Sequence, residues 1–160
     1  MSRIAIIGTR DLKNPKEVLR KIVNYLKENK IDFDTVTSGN AVGTDQIANS
    51  FSKIDKITII HYLPWKTYNE DLKIEKDNVQ YVCNSTDKFD KDILEMFPFM
   101  KKQSQGNWAL VRRNFQIILG SDGDKPVDLV FWHTVDGILS GGTRYGVLLA
   151  RKMGIKDVSI

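Results

Sequence analysis

"RIAIIGTRDLKNPKEVLRKIVNYLKENKIDFDTVTSG", residues 3–39, decides the fold. "RIAII" (3–7) is a short run rich in β-branched residues that stops at Gly8, the pattern of a buried parallel strand. A helix is expected over 14–29: Asn14 stands where it can cap, Pro15 occupies the first helical position, and Val18, Leu19, Ile22, Val23 and Leu26 fall on one face. "FDTVTSG" (33–39) then reads as a second strand ending in Ser38-Gly39. A strand, a helix and a strand joined by short connections form the unit from which parallel sheets are built.

The same alternation continues outward. "GTDQIANSFSKI" (43–54) is expected to be a helix and "KITIIHYL" (56–63) a third strand. Regularity returns with "NWALVRRNFQIILGS" (107–121), a helix whose apolar face carries Trp108, Val111, Phe115, Ile118 and Leu119. "PVDLVFWH" (126–133) is the fourth strand, "TVDGILSGG" (134–142) a loop, "TRYGVLLARKMG" (143–154) a helix stopped at Gly154, and "IKDVSI" a fifth strand. The expected architecture is α/β: a single Rossmann-like domain over 1–160, with a mostly parallel five-stranded sheet and helices on both faces. The stretch 66–106 is charged, aromatic and weakly periodic. It is expected to be an insertion or lid between strand 3 and the helix before strand 4, since its apolar content is too thin for a core of its own. The alternative is an arm that binds a partner through Trp65, Tyr68, Phe97 and Phe99.

Composition narrows the function classes. The chain has 160 residues, 41% hydrophobic and 28% charged, with a formal charge of +4, as ordinary soluble proteins do. Most lysines have acidic neighbours, so an anionic partner is permitted but a nucleic-acid groove is not demanded. The single cysteine, Cys83, forms no intrachain disulfide and fits a reducing, cytoplasmic setting. His61 and His133 lie apart with no Cys/His cluster, so no metal site is expected. No stretch approaches the ~20 apolar residues that span a bilayer, so no membrane partner is expected.

Three loops end strands with small or polar residues: "GTR" (8–10), "SGNAVGTD" (38–45) and "SGGTR" (140–144). In an open parallel sheet ligands bind beyond the carboxyl ends of the strands, where strand order reverses. If the strand order is 3-2-1-4-5, "GTR" and "SGGTR" face each other across one crevice. Gly8, Gly141 and Gly142 let backbone approach a ligand, the helix starting near Thr143 points free N–H groups at an anion, and Arg10 and Arg144 add donors. Thr9, Ser38, Asn40, Thr44 and Ser140 complete the loops as ligand-binding candidates. A G-x-G-x-x-G after strand one and a Walker motif are both absent, which argues against a dinucleotide cofactor and P-loop ATP chemistry. No cofactor is expected.

"IIGTRD", "SGNAVGTDQIA", "PW" after the third strand, "RRN" on the helix before strand 4, and "GGTRYGVLLARKMGI" together resemble the SLOG superfamily, the group of DprA and the LOG enzymes, with the small YspA-like branch nearest. The resemblance spans about 3–65 and 107–160. It implies a Rossmann-like fold that binds a nucleotide or nucleotide-derived ligand. Gly8 and Arg10 would line one loop and Gly39, Gly43 and Asp45 a second. Trp65 would follow strand three, Arg113 and Asn114 would reach in from a helix, and Gly141, Gly142 and Thr143 would cradle phosphate. A homo-oligomer is also implied. Asn40 stands where the family usually has a second glycine, and the segment between Trp65 and Arg113 is longer than in YspA-like proteins. The LOG motif P-G-G-x-G-T-x-x-E has no counterpart for its glutamate: Gly142-Thr143 is followed by Arg144, Tyr145 and Gly146. Asp45 is left as the candidate catalytic carboxylate. Three readings stay open: a nucleotide sensor or sequestering protein, a hydrolase of the N-glycosidic bond of a nucleoside monophosphate-like substrate, and DprA-like binding of single-stranded DNA through Trp65 and Trp108.

Overall fold

A computed structural model describes residues 1–84 and 86–160. In chain order it comprises β1 (Ser2–Gly8), α1 (Pro15–Glu28), β2 (Phe33–Ser38), a 3-10 helix (Thr44–Lys53), β3 (Thr58–Tyr62), a 3-10 turn (Glu70–Leu72), β4 (Val79–Val82) and α2 (Asp90–Met96). A 3-10 segment (Pro98–Lys102), α3 (Gln105–Leu119), β5 (Leu129–His133), α4 (Thr143–Lys152) and β6 (Lys156–Ser159) follow. The fold is α/β, one open sheet in the order β4-β3-β2-β1-β5-β6, with every strand pair parallel.

Alternation along the strands explains the layers. Ile4, Ile6, Leu129 and Phe131 point to one face, where they meet Val18, Ile22 and Leu26 of α1 and Ile47 and Phe51 of the 3-10 helix. Ala5, Ile7, Val130 and Trp132 point to the other, against Val111, Phe115 and Ile118 of α3 and Val147 and Ala150 of α4. The central strands are therefore apolar on both faces, as a sheet covered on two sides requires. The expected cap at Asn14 is not made by its side chain; its carbonyl accepts from Val18 N–H at 3.1 Å. Gly154 does end α4, with φ 72°, and Ile155 N–H reaches back to the Ala150 carbonyl at 2.8 Å.

One expectation is corrected. The sheet has six strands among the described residues, not five. The extra one, β4, lies inside the segment expected to be an insertion, and it covers the open edge of β3. Its pattern is four residues long and buries only Val79 fully, too little to stand out from its charged neighbours. What holds it is tertiary: the Ile59↔Val79 register, and the Tyr81 ring stacked on His61 at 5.2 Å between centroids. The helix expected over 43–54 is present over Thr44–Lys53, wound as a 3-10 helix. Its buried residues sit three apart, Thr44 with Ile47 and Asp45 with Ala48 and Phe51, the eclipsed spacing of that helix.

Residues 89–100 are built onto the face shared with α3 and α4. Phe89, Ile93, Phe97 and Met100 belong to the same apolar cluster as Phe115. Arg112 on α3 holds Asp90 on α2 by two hydrogen bonds of 2.8 and 2.7 Å. Phe115, fully buried where α3 meets the sheet, is the keystone of this face. Phe115→Ala is expected to cost about 3–5 kcal/mol, read as a lower urea midpoint with an unchanged slope.

Candidate functional site

A cavity of about 550 Å³ opens at the carboxyl ends of β1 and β5. The chain runs outward from β1 through β2 and β3 to β4, then returns to add β5 on the other side of β1. The two loops that leave β1 and β5 therefore diverge and leave a crevice between them.

Ten of the expected ligand residues line it. Gly8, Thr9 and Arg10 come from the loop after β1, Asp45 from the 3-10 helix, and Arg113 and Asn114 from α3. Ser140, Gly141, Gly142 and Thr143 come from the loop into α4. The other seven are elsewhere. Ser38 is buried and donates to the Ile6 carbonyl at 2.5 Å. Gly39 and Asn40 form the turn behind Asp45. Gly43 packs on the backbone of Thr9 and Arg10 with φ 89°. Thr44 ties that turn to β1, its N–H and hydroxyl both donating to the Thr9 carbonyl at 3.1 and 3.0 Å. Trp65 is 42% exposed and packs edge-on against Tyr68. Arg144 lies over the Tyr145 ring. Trp108 sits beneath Arg112, away from the cavity lining. Among the described residues none from 66–106 lines the cavity.

The floor is polar and buried. Arg113 is 5% exposed. Its guanidinium donates to the Gly39 carbonyl in a short contact, approaches the Tyr62 carbonyl at 3.5 Å, and lies over the Tyr68 ring at 5.2 Å. Asp45 Oδ2 accepts from the N–H groups of Gly39 and Ala41 at 3.1 and 3.2 Å. Gly39 has no room for a side chain: a Cβ would lie 2.5 Å from Arg113 Nη1 and 2.9 Å from Asp45 Oδ2. That glycine serves the close packing of two side chains, not a ligand.

Asn40 is explained the same way. It has φ 55°, a left-handed conformation in which asparagine substitutes well for glycine. Its amide donates to the carbonyls of Tyr68 and Asn69 at 3.3 Å and accepts from Gln46 at 3.0 Å. Its backbone N–H donates to His61 Nδ1 at 3.0 Å, so His61 Nε2 carries the proton and donates to Asn49 Oδ1 at 2.8 Å.

Burial pushes the Asp45 carboxyl up to about 6 from an ordinary 3.8, opposed by the positive charge of Arg113 and by backbone N–H groups. Burial, helped by the same arginine, lowers the His61 imidazole to about 4 from an ordinary 6.5. Residues that sequence reasoning missed include Thr134, Asp136, Asp11 and Leu110, all on the cavity wall. Thr134 and Asp136 follow β5 directly, so the rule that selected "GTR" after β1 applied to them equally.

The chain matches no family model, no curated protein and no solved structure.

Two opposed pH dependences follow. The folded state holds the Asp45 proton more tightly than the unfolded chain does, so that stabilisation is complete below about pH 3.8 and is lost as pH rises through about 6. The folded state keeps His61 neutral, so its stabilisation is complete above about pH 6.5 and is lost as pH falls through about 4. In the wild type the two partly cancel on acidification. In Asp45→Asn only the His61 loss remains, so denaturant titrations between pH 6.5 and 4 should show a steeper fall in stability than the wild type. Gly39→Ala should cost about 1–3 kcal/mol in the same titrations at neutral pH.

Proposed function

We propose that this protein binds a nucleotide or a nucleotide-derived phosphorylated ligand in the cavity between β1 and β5, and that it is a SLOG-like sensor or sequestering protein. The phosphate meets the Gly142 and Thr143 N–H groups at the start of α4, whose neighbours Arg144 and Tyr145 already donate to the Gly141 and Gly142 carbonyls at 3.3 Å, with Arg10 opposite on the loop after β1. The observation that carries this reading is Gly142. Its backbone has ordinary helical angles, φ −64° and ψ −31°, and a Cβ there would meet only Asn114 Nδ2, at 4.0 Å. Neither conformation nor packing requires glycine. A ligand that approaches the backbone closely does require it.

A second reading has its own support. Asp45 lines the cavity, and its carboxyl is held near neutrality, the range in which one group both accepts and returns a proton. In glycosidic hydrolysis Asp45 would take a proton from water as the water oxygen bonds to the ribosyl carbon. The C–N bond breaks, and the proton passes to the departing base nitrogen.

Gly142→Val is expected to keep its stability within about 1 kcal/mol and to lose the thermal shift that AMP gives the wild type. Unchanged AMP binding in this variant would overturn the phosphate cradle. Incubating AMP with the wild type and looking for free adenine by chromatography separates the two readings. If adenine forms, its rate should rise with pH through about 6 and vanish in Asp45→Asn while AMP binding persists.

A further inference from the structure

The loop after β5 sets an apolar side chain at the mouth of the cavity. Val135 is 59% exposed. Single exposed apolar residues are ordinary on protein surfaces. Among the described residues, however, Val135 alone of the exposed large apolar side chains lines the cavity. Two hydrogen bonds internal to the loop shape its support. Gly137 N–H donates to the Thr134 carbonyl at 3.3 Å, which closes a turn with Val135 and Asp136 at its corners. Ile138 N–H donates to Asp136 Oδ1 at 3.0 Å. Gly137 leaves the turn with φ 71°, a conformation that glycine adopts freely. Turn corners favour proline, glycine and short polar residues. A valine at this corner gains the free protein little burial.

We propose that Val135 is a specificity-determining residue of the cavity, the platform on which the base of a bound nucleotide lays one of its apolar faces. This rests on the reading of the cavity as a nucleotide site and adds to it a reason for the base to be required. Ligand sites combine apolar walls with a few placed polar groups, and this cavity has both. Gly142 leaves the backbone at the start of α4 open to a phosphate. Asp136, next to Val135 and also on the cavity wall, presents a carboxylate there. Like charge keeps the phosphate from that turn, so the uncharged end of the ligand is the one that comes to Val135. A base is flat and apolar on its faces, and water is released from both surfaces when it meets the valine. The turn is formed before the ligand arrives, so binding does not have to order it.

Calorimetry and thermal unfolding of the full chain test this, with AMP, ribose 5-phosphate and inorganic phosphate as probes. Ribose 5-phosphate keeps the anion and the sugar and lacks the base. The wild type should bind AMP about fivefold or more tightly than ribose 5-phosphate. Val135→Ser should bind AMP about fivefold more weakly than the wild type does, and ribose 5-phosphate within about twofold of it. Without ligand it should unfold at the wild-type temperature, since the side chain it replaces is exposed. Val135→Ile, with a larger apolar face, should bind AMP at least as tightly as the wild type. Ile138→Ser removes a side chain that is 63% exposed and does not line the cavity, so AMP binding should not change. Equal binding of AMP and ribose 5-phosphate by the wild type overturns the platform, as does a Val135→Ser protein that loses both alike. Equal losses of AMP in Val135→Ser and Ile138→Ser trace the effect to the loop as a whole and overturn it too. If Val135→Ser binds AMP like the wild type while Gly142→Val does not, the platform fails and the cavity reading stands. If the wild type binds none of the three probes, both fail.

Discussion

The Arg113 guanidinium is the interaction on which the carboxyl edge of the sheet depends. It is a buried positive charge carried by α3, held by the carbonyls of Gly39 and Tyr62 and by the face of Tyr68, with its Nε left unpaired. Those partners belong to the turn after β2, the end of β3 and the segment beyond it. One side chain thus ties a helix to three successive pieces of the chain. A buried charge is costly unless its surroundings are arranged around it. Here the arrangement is visible in Gly39, which is glycine because the guanidinium and the Asp45 carboxylate occupy the space of its side chain.

Behind that pair lies a network of amides and one imidazole. Asn40, Gln46, Asn49, His61 and Asn69 bond one another and the surrounding backbone with little left over. The turn after β2 therefore has a fixed shape and presents Asp45 to the cavity from a rigid support. The segment beyond β3, through Tyr68 and Asn69, is part of this support. It acts on the site from behind, with Trp65 packed on Tyr68 and Tyr68 packed on Arg113.

The fold was legible because its signals are local. β1 and β5 are apolar on both faces, β1 and β2 stop at small residues, and α1 and α3 carry apolar faces at helical spacing. The order supposed for those strands, with the fourth beside the first, is the one the structure has. β4 escaped because four residues with one fully buried side chain do not make a pattern; its register comes from its neighbour β3. Gly8, Arg10, Asn114 and Gly142, expected from loops and a helix that border the crossover point, do line the cavity. Ser38, Gly39, Asn40, Gly43 and Thr44, expected beside them, instead hold the turn behind it, because a small or polar residue that serves packing looks the same in one dimension. Thr134 and Asp136 escaped although the same rule covers the residues that follow β5, because no glycine stands at the end of β5 to mark them out.

By itself the sequence determined the α/β class, the sequence of strands and helices over most of the chain, and the loops that meet at one edge, because periodicity and turn chemistry act over a few residues. The tertiary structure alone decided which glycines are filled by neighbours and which face open space, which polar groups are paired, and where the sixth strand goes. Each of those is a contact between residues far apart in the chain: Gly39 with Arg113, His61 with Tyr81, the carboxyl end of β1 with that of β5.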